Sequence, residues 1–264
     1  MNFIVRTLLI AGTMLSSNTM ETLATTNFSE EITTSINSTD LIRDLYTKTH
    51  AENYGLSFDA FLEGMTGYLN LINENKIKNT RVLSIVDFSQ PSKNKRLYIF
   101  DLMKGELLIN TYVAHGRNSG LMYAEKFSNI INSRKSSIGF YKAAETYRGK
   151  YGLSLKLDGL QRQLNHKARE RAIVMHPAKY VSKHFLESNG YMGRSYGCPA
   201  VPYKEHKDII QAIKGGSVFY IYTNQEYKKE ENLYSLPDNT LELLSTYTAS
   251  FPSKVQPIGL PDDM

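Results

Sequence analysis

The spacing of apolar and polar positions predicts two helices near the start of the chain. Ser57 is an N-cap residue type, and the apolar residues that follow it recur at helical spacing: Phe58, Phe61, Leu62, Met65, Leu69 and Ile72. This spacing predicts a helix with one buried face. A shorter helix is expected over 41–52, capped by Asp40. Residues 25–80 are therefore predicted to be a polar lead-in and a helical extension that docks on the main domain.

From Arg81 onwards the pattern becomes that of β-strands. Strand-like runs occupy 81–88, 171–176 and 217–223, and a hairpin that turns at 103–105 is predicted over 96–116. Helices that end at glycine are expected at 178–190 and 203–216, and the basic run 162–171 is interpreted as a solvated helix face. The pattern indicates a β-rich domain with inserted helices over 81–225.

The two ends of the chain have different compositions from this centre. Residues 1–24 contain Arg6, a short apolar stretch and Ala24 after small residues, which is the pattern of a secretory signal peptide. The apolar stretch is too short to span a bilayer, and no later segment is long and apolar enough to do so. The tail, 226–264, is polar and contains prolines, so it is expected to wrap the surface or to be partly disordered. We expect a periplasmic or secreted protein.

Composition narrows the classes of partner. The chain is 41% hydrophobic and 22% charged, which is ordinary for a globular protein, and its formal net charge is +5. The basic residues are scattered, so the sequence does not indicate nucleic-acid binding. A mild positive charge is compatible with an anionic polymer such as a cell wall.

The chain has one cysteine, Cys198, in the stretch GRSYGCPAVP at 193–202. An unpaired cysteine in an exported protein suggests either an intermolecular disulfide or a reactive thiol. Gly197 before it allows backbone N–H groups to approach a developing oxyanion, and Ser195 is able to hydrogen-bond within the turn. No cluster of metal ligands surrounds Cys198, so neither a metal nor another cofactor is expected.

A nucleophilic thiol needs a base, and two of the six histidines are candidates. His115 and His176 lie at the ends of predicted strands, where a β scaffold displays catalytic side chains. Taken in isolation, each is better interpreted as a structural histidine bonded to a backbone carbonyl. His50 lies in the helical extension, and the others, His166, His184 and His206, fall on predicted amphipathic helices and are interpreted as solvated.

Together these segments resemble a known family. IVMH at 173–176 followed by SYGC at 195–198 is similar to the L,D-transpeptidase catalytic domain, the YkuD-like group of bacterial cell-wall enzymes, over about 81–223. Pro199 and Ala200 after the cysteine resemble one branch of that group. The resemblance implies a mainly β fold, sandwich-like or barrel-like, with inserted helices.

The resemblance also implies a reaction on peptidoglycan stem peptides. Cys198 would be the nucleophile and His176 the base, the N–H groups of Gly197 and Cys198 would line an oxyanion hole, and Ser195 would support the turn. The thiolate would attack the carbonyl between the third and fourth residues of a stem tetrapeptide. D-Alanine would leave, and the acyl group would pass to an amine or to water.

This chain departs from the family pattern at two positions, because Tyr196 and Pro199 stand where many members have His and Arg. Arg194 is a candidate substitute for that arginine, and we expect Arg194, Tyr196 and His115 to contact substrate. Three alternatives remain open: an L,D-carboxypeptidase, another murein cysteine peptidase, and a non-catalytic peptidoglycan-binding protein. A murein peptidase whose cysteine precedes its histidine fits poorly, since no histidine lies beyond His206.

Overall fold

A computed structural model describes residues 37–248 of the 264-residue chain. The predicted signal peptide, with cleavage near Ala24, therefore lies outside the described residues, as do 25–36 of the lead-in and 249–264 of the tail. The described chain starts with helices α1 (Ser38–Lys48) and α2 (Phe58–Asn73), separated by a 3₁₀ turn at Ala51–Tyr54. The Ser57 side chain accepts a hydrogen bond from Ala60 N–H, which confirms it as the N-cap of α2.

Eight strands form the centre of the fold: β1 (Val82–Asp87), β2 (Leu97–Asp101), β3 (Glu106–Thr111), β4 (Gly139–Gly149), β5 (Gly152–Gly159), β6 (Val174–Pro177), β7 (Ala200–Val201) and β8 (Val218–Tyr222). Their order in the sheet is β3-β2-β1-β8-β4-β5-β6-β7. The pairs β1–β8 and β6–β7 are parallel and the others antiparallel. The predicted mainly β, barrel-like architecture with inserted helices is confirmed.

Helix α2 lies against one face of the sheet. Its Phe61 packs with Phe100 of β2 in a large buried cluster. Gly67 shows how close the contact is, because a Cβ at that position would lie 2.0 Å from the Phe140 ring of β4. Glycine lowers the helix propensity of α2, but because it has no Cβ it allows the helix to approach the sheet this closely.

The opposite face of the sheet is covered by α4 (His206–Ile213), whose Ile209, Ile210 and Ile213 are fully buried. They join a second cluster with Phe219 of β8, and Cys198 packs at its edge. The remaining helices are α3 (Lys183–Asn189), α5 (Glu231–Tyr234) and α6 (Thr240–Thr248). No helix among the described residues is long and apolar enough to cross a membrane.

Several local predictions differ from the structure. The run 162–171 forms consecutive turns rather than a helix, and its Arg169 pairs with Glu145 and Asp158 on β4 and β5. The residues that follow β8 up to 248 are not a surface tail alone, because Leu233 and Leu244 are buried in the same cluster as α2. Strands β4 and β5, the longest in the sheet, were not predicted, since their charged residues and the glycines at 149 and 152 obscure the alternation.

Candidate active site

The turn that carries the cysteine is shaped by Ser195 and Gly197. The Ser195 hydroxyl accepts a hydrogen bond from Gly197 N–H (3.0 Å) and donates one to Cys198 O (2.7 Å). Gly197 has φ 123°, and a Cβ there would lie 2.8 Å from Lys135 O. A larger residue at 197 would therefore strain the backbone and push the turn away from its neighbour.

Two chain segments hold the turn from either side. Ser195 N–H donates to His115 O (2.9 Å), Arg117 N–H donates to Ser195 O (2.8 Å), and the Ser136 hydroxyl donates to Gly197 O (3.4 Å). After the turn, β7 pairs with β6, and Ala200 lies opposite His176. This pairing brings two residues 22 positions apart in the chain, His176 and Cys198, to the same end of the sheet.

Both side chains line an open cleft of about 1160 Å³. The Cys198 thiol donates to Ala172 O at 3.6 Å, and the His176 Nδ1 atom lies 3.0 Å from Pro177 O. Within the described residues no hydrogen bond joins Cys198 Sγ to the imidazole of His176. The two groups therefore line one cleft without a hydrogen bond between them, and catalytic hydrogen bonds are often long or poorly aligned before substrate binds.

The hydrogen bond at Nδ1 fixes the tautomer of His176. A carbonyl oxygen only accepts, so Nδ1 carries the hydrogen and the lone pair of Nε2 is left available as a base. Burial lowers the pKa of His176, and the bond to Pro177 O opposes that shift only in part. The Tyr151 ring stacks on the imidazole with centroids 5.5 Å apart, which limits its rotation. His176 is thus held as an oriented, neutral imidazole.

Opposing influences act on the pKa of the Cys198 thiol. Burial raises the pKa of Cys198, while a hydrogen bond from Val174 N–H and the positive charge of Arg171 act in the opposite direction. The Arg171 guanidinium lines the cleft and donates to Ser128 O (2.6 Å) and Lys135 O (2.6 Å). At neutral pH the resting cysteine is a thiol with a fixed cation nearby.

Sequence reasoning missed Arg171 and Tyr151. Arg171 was assigned to a solvated helix face, and Tyr151 lies in the turn between two strands that were not predicted. The sequence did contain one indication that Arg171 lies near the site, because it starts the strand-like run that ends at His176.

The turn does not present both of the oxyanion-hole donors that the family resemblance implies. Gly197 N–H is occupied by the Ser195 hydroxyl, so it does not point a free donor at the cleft. Of the two expected donors, this arrangement leaves the backbone N–H of Cys198.

His115 is not a substrate contact in this structure. Its side chain is fully buried, with Nδ1 2.7 Å from Arg96 Nη2 and Nε2 3.4 Å from Gly120 O. Because a guanidinium only donates, His115 Nδ1 accepts and Nε2 carries the hydrogen. Burial and the charge of Arg96 lower the pKa of His115 to about 3. The expectation of substrate contact is wrong because the imidazole is fully buried against Arg96. The backbone oxygen of His115 accepts from Ser195 N–H, so His115 supports the turn that carries Ser195.

Arg194 and Tyr196, the other two expected substrate contacts, do line the cleft. Arg194 Nη1 donates to Gly120 O at 3.1 Å, and Tyr196 is 66% exposed. The remaining histidines lie elsewhere. His206 is buried and bonds to Tyr203 O, so its interpretation as solvated is wrong, and His166 lies on a turn beside Asn129. No group of three metal-ligating side chains is present within 37–248.

Comparison with known families assigns the chain. A family model described as an L,D-transpeptidase catalytic domain matches residues 52–222, and the chain belongs to that family. The matched range includes α2 and the eight strands of the sheet, but not α1. No curated protein sequence matches the chain.

Several solved structures are similar at low sequence identity. An L,D-transpeptidase from Mycobacterium smegmatis is 13% identical, with 54% of this chain and 59% of that chain covered and a TM-score of 0.34. The helical cell shape determining protein Pgp2 from Campylobacter jejuni is 10% identical, covering 63% and 59% at a TM-score of 0.35. An L,D-transpeptidase from Stackebrandtia nassauensis is 12% identical, covering 70% and 91% at 0.35. The chain thus spans about three fifths of the length of the first two.

Proposed function

We propose that the protein is a peptidoglycan L,D-transpeptidase that works through a thioester on Cys198. The observation that carries the proposal is that Cys198 and an oriented, neutral His176 face one cleft in a chain of this family. The predicted export to the periplasm or cell surface, where peptidoglycan is found, is part of the same proposal.

In the first half-reaction, the lone pair of His176 Nε2 takes the proton of the Cys198 thiol as sulfur attacks. A bond forms between Sγ and the carbonyl carbon of the third residue of a stem tetrapeptide. The oxyanion is stabilised by the N–H of Cys198, and the nearby charge of Arg171 favours the thiolate. The bond to the terminal D-alanine then breaks, and its nitrogen receives the proton from His176.

In the second half-reaction, an amine of a neighbouring stem peptide attacks the thioester. His176 takes the proton of that amine, a new amide bond forms, and the thiolate leaves and is reprotonated. If water attacks instead, the product is a free tripeptide and the enzyme acts as a carboxypeptidase. The open cleft of about 1160 Å³ has room for a peptide acceptor as well as for water.

The test is incubation of the purified protein with a stem tetrapeptide, followed by mass spectrometry of the products. We expect release of D-alanine together with either a cross-linked dimer or a tripeptide. The matched variant is Cys198→Ser, which changes one atom, moves the free energy of unfolding by less than about 1 kcal/mol, and lowers D-alanine release by orders of magnitude. A Cys198→Ser protein that released D-alanine at the native rate would exclude Cys198 as the nucleophile.

A non-catalytic peptidoglycan-binding protein is the second candidate. The departures at Tyr196 and Pro199, together with the thiol whose pKa is raised by burial, favour it over other enzymes. It predicts binding of tetrapeptide without any release of D-alanine from either the native protein or Cys198→Ser.

A further inference from the structure

The charge of the cleft is one-sided. Among the described residues its lining includes the cationic side chains Arg117, Arg134, Arg171, Lys179 and Arg194, and no Asp or Glu. Arg171 and Arg194 donate hydrogen bonds to backbone carbonyls, so these two side chains hold the protein's own loops in place. Arg117 and Arg134 are exposed, and neither guanidinium donates a hydrogen bond among the residues that the structure describes.

Arg117 and Arg134 flank one exposed ring. The Arg134 guanidinium carbon lies 4.8 Å from the centroid of Tyr196, and that of Arg117 lies 5.9 Å from it. Neither arginine forms an ion pair within the described part of the chain. Two like charges on one ring repel each other, and an anion between them would remove that cost. The arrangement therefore fits a bound anion better than it fits an empty surface.

The backbone conformation at Arg134 is energetically unfavourable. Arg134 has φ 56°, a left-handed conformation that is uncommon for a residue other than glycine. Asn118 N–H donates to Arg134 O at 3.1 Å, and the Asn118 side chain donates to Ser133 O at 3.0 Å. On the next residue, Lys135 O accepts from Arg171. Strain that the surrounding contacts maintain at a cleft is typical of a functional position.

We propose that Arg117, Tyr196 and Arg134 form a carboxylate subsite that selects stem peptides with free rather than amidated side-chain carboxylates. The proposal rests on the proposed function and adds its substrate specificity. A guanidinium pairs with a carboxylate through two parallel hydrogen bonds, which a neutral amide cannot reproduce because half of its polar groups are donors. Tyr196 supplies the surface against which both arginines are positioned.

The subsite accounts for the departures of this chain from the family pattern. With Pro199 after the nucleophile, the chain has no cation at that position, and Tyr196 stands where many members have a histidine. The positive charge is supplied instead by residues 117 and 134, from two loops that meet in front of the cysteine turn.

The experiment measures equilibrium binding, so that it does not depend on turnover. In a Cys198→Ala background, two tetrapeptides that differ only in whether their side-chain carboxylates are free or amidated are titrated by calorimetry. We expect the free acid to bind about tenfold more tightly, and this preference to weaken as salt is raised. The double substitution Arg117→Gln and Arg134→Gln is expected to reduce the preference to less than about twofold.

The matched control removes two exposed arginines outside the cleft lining, with Arg148→Gln and Arg162→Gln. It makes the same change in net charge and should retain the preference. Tyr196→Phe, which keeps the ring, should also retain it, whereas Tyr196→Ala should weaken it. Equal binding of both peptides by the parent, or a double variant that still prefers the free acid, would overturn the subsite alone. Binding of neither peptide would overturn the proposed function as well.

Discussion

His115 and His176 both lie at the ends of strands predicted from the sequence, yet the structure uses them in opposite ways. His115 is fully buried, its Nδ1 lone pair is taken by Arg96, and its Nε2 hydrogen faces Gly120 O. His176 donates from Nδ1 to Pro177 O and keeps the Nε2 lone pair free at a cleft. The two imidazoles are opposite tautomers, and only the second has an atom with which to accept a proton.

The comparison shows that a histidine becomes a candidate base through its neighbours. A donor beside Nδ1 consumes the lone pair, whereas an acceptor beside Nδ1 directs the lone pair to the other nitrogen. Desolvation lowers the pKa of both histidines, of fully buried His115 and of half-buried His176, so the pKa direction does not separate them. Geometry does.

The largest expected effect is on activity at His176. Removal of the base by His176→Gln should lower D-alanine release about 10²–10⁴-fold, because the thiol then has no acceptor for its proton. The fold should remain, as the side chain is only half-buried. Steady-state rates are measured beside a melting curve, with His115→Gln as the control. Comparable losses of rate per folded molecule in both variants would contradict the assignment of His176 rather than His115 as the base.

The next effect is on stability at His115. His115→Leu removes the acceptor of a buried guanidinium hydrogen bond, and the free energy of unfolding should fall by roughly 2–3 kcal/mol. His115→Gln retains a side-chain acceptor and should lose less. Urea denaturation followed by circular dichroism gives both values. If His115→Leu were as stable as the native protein, the contact with Arg96 would contribute nothing to the free energy of unfolding.

A third effect is on stability against acid. His115 has a folded-state pKa of about 3, below the ordinary value near 6.5. Between these values the unfolded chain binds a proton that the folded protein does not, so stability must decrease as pH falls from about 6.5 to 3 and level off below. The total contribution is on the order of a few kcal/mol, and the lowered pKa of His176 acts in the same direction.

The measurement is the melting temperature of native protein and His115→Gln across that pH range. The variant should lose less stability on acidification than the native protein, because glutamine does not titrate. Parallel curves for the two proteins would show that His115 does not carry the acid sensitivity.

The smallest effect concerns the thiol. Arg171 favours the thiolate of Cys198, so Arg171→Gln should raise the pKa of that thiol further and slow its alkylation at pH 8 by up to about tenfold. Mass spectrometry of iodoacetamide-treated protein at several pH values gives the rate profile. Arg148→Gln, an exposed position on β4, is the matched loss of charge. An Arg171→Gln profile superimposable on that of Arg148→Gln would contradict the role of this charge.

Much of the candidate site was predictable because its central residues are close in sequence. Ser195, Gly197 and Cys198 form one turn, and the strand that ends at His176 has a clear apolar pattern. By contrast, Arg117, Arg134, Tyr151 and Arg171 reach the cleft from separate loops and turns. No local spacing connects them to the cysteine, so only the packing of those loops shows that they belong to the site.

The fold divides in the same way. The hydrophobic pattern alone determined the hairpin of β2 and β3, the strand β8, the capped start of α2 and the β-rich character of 81–225, because each depends on residues that alternate or recur within a short window. Tertiary structure decided the rest. Charged residues on β4 and β5 are satisfied by partners such as Arg169 from a distant turn, which allows a strand where the local pattern is weak. It also decided which histidine has a free lone pair, since that depends on atoms contributed by residues far apart in the chain.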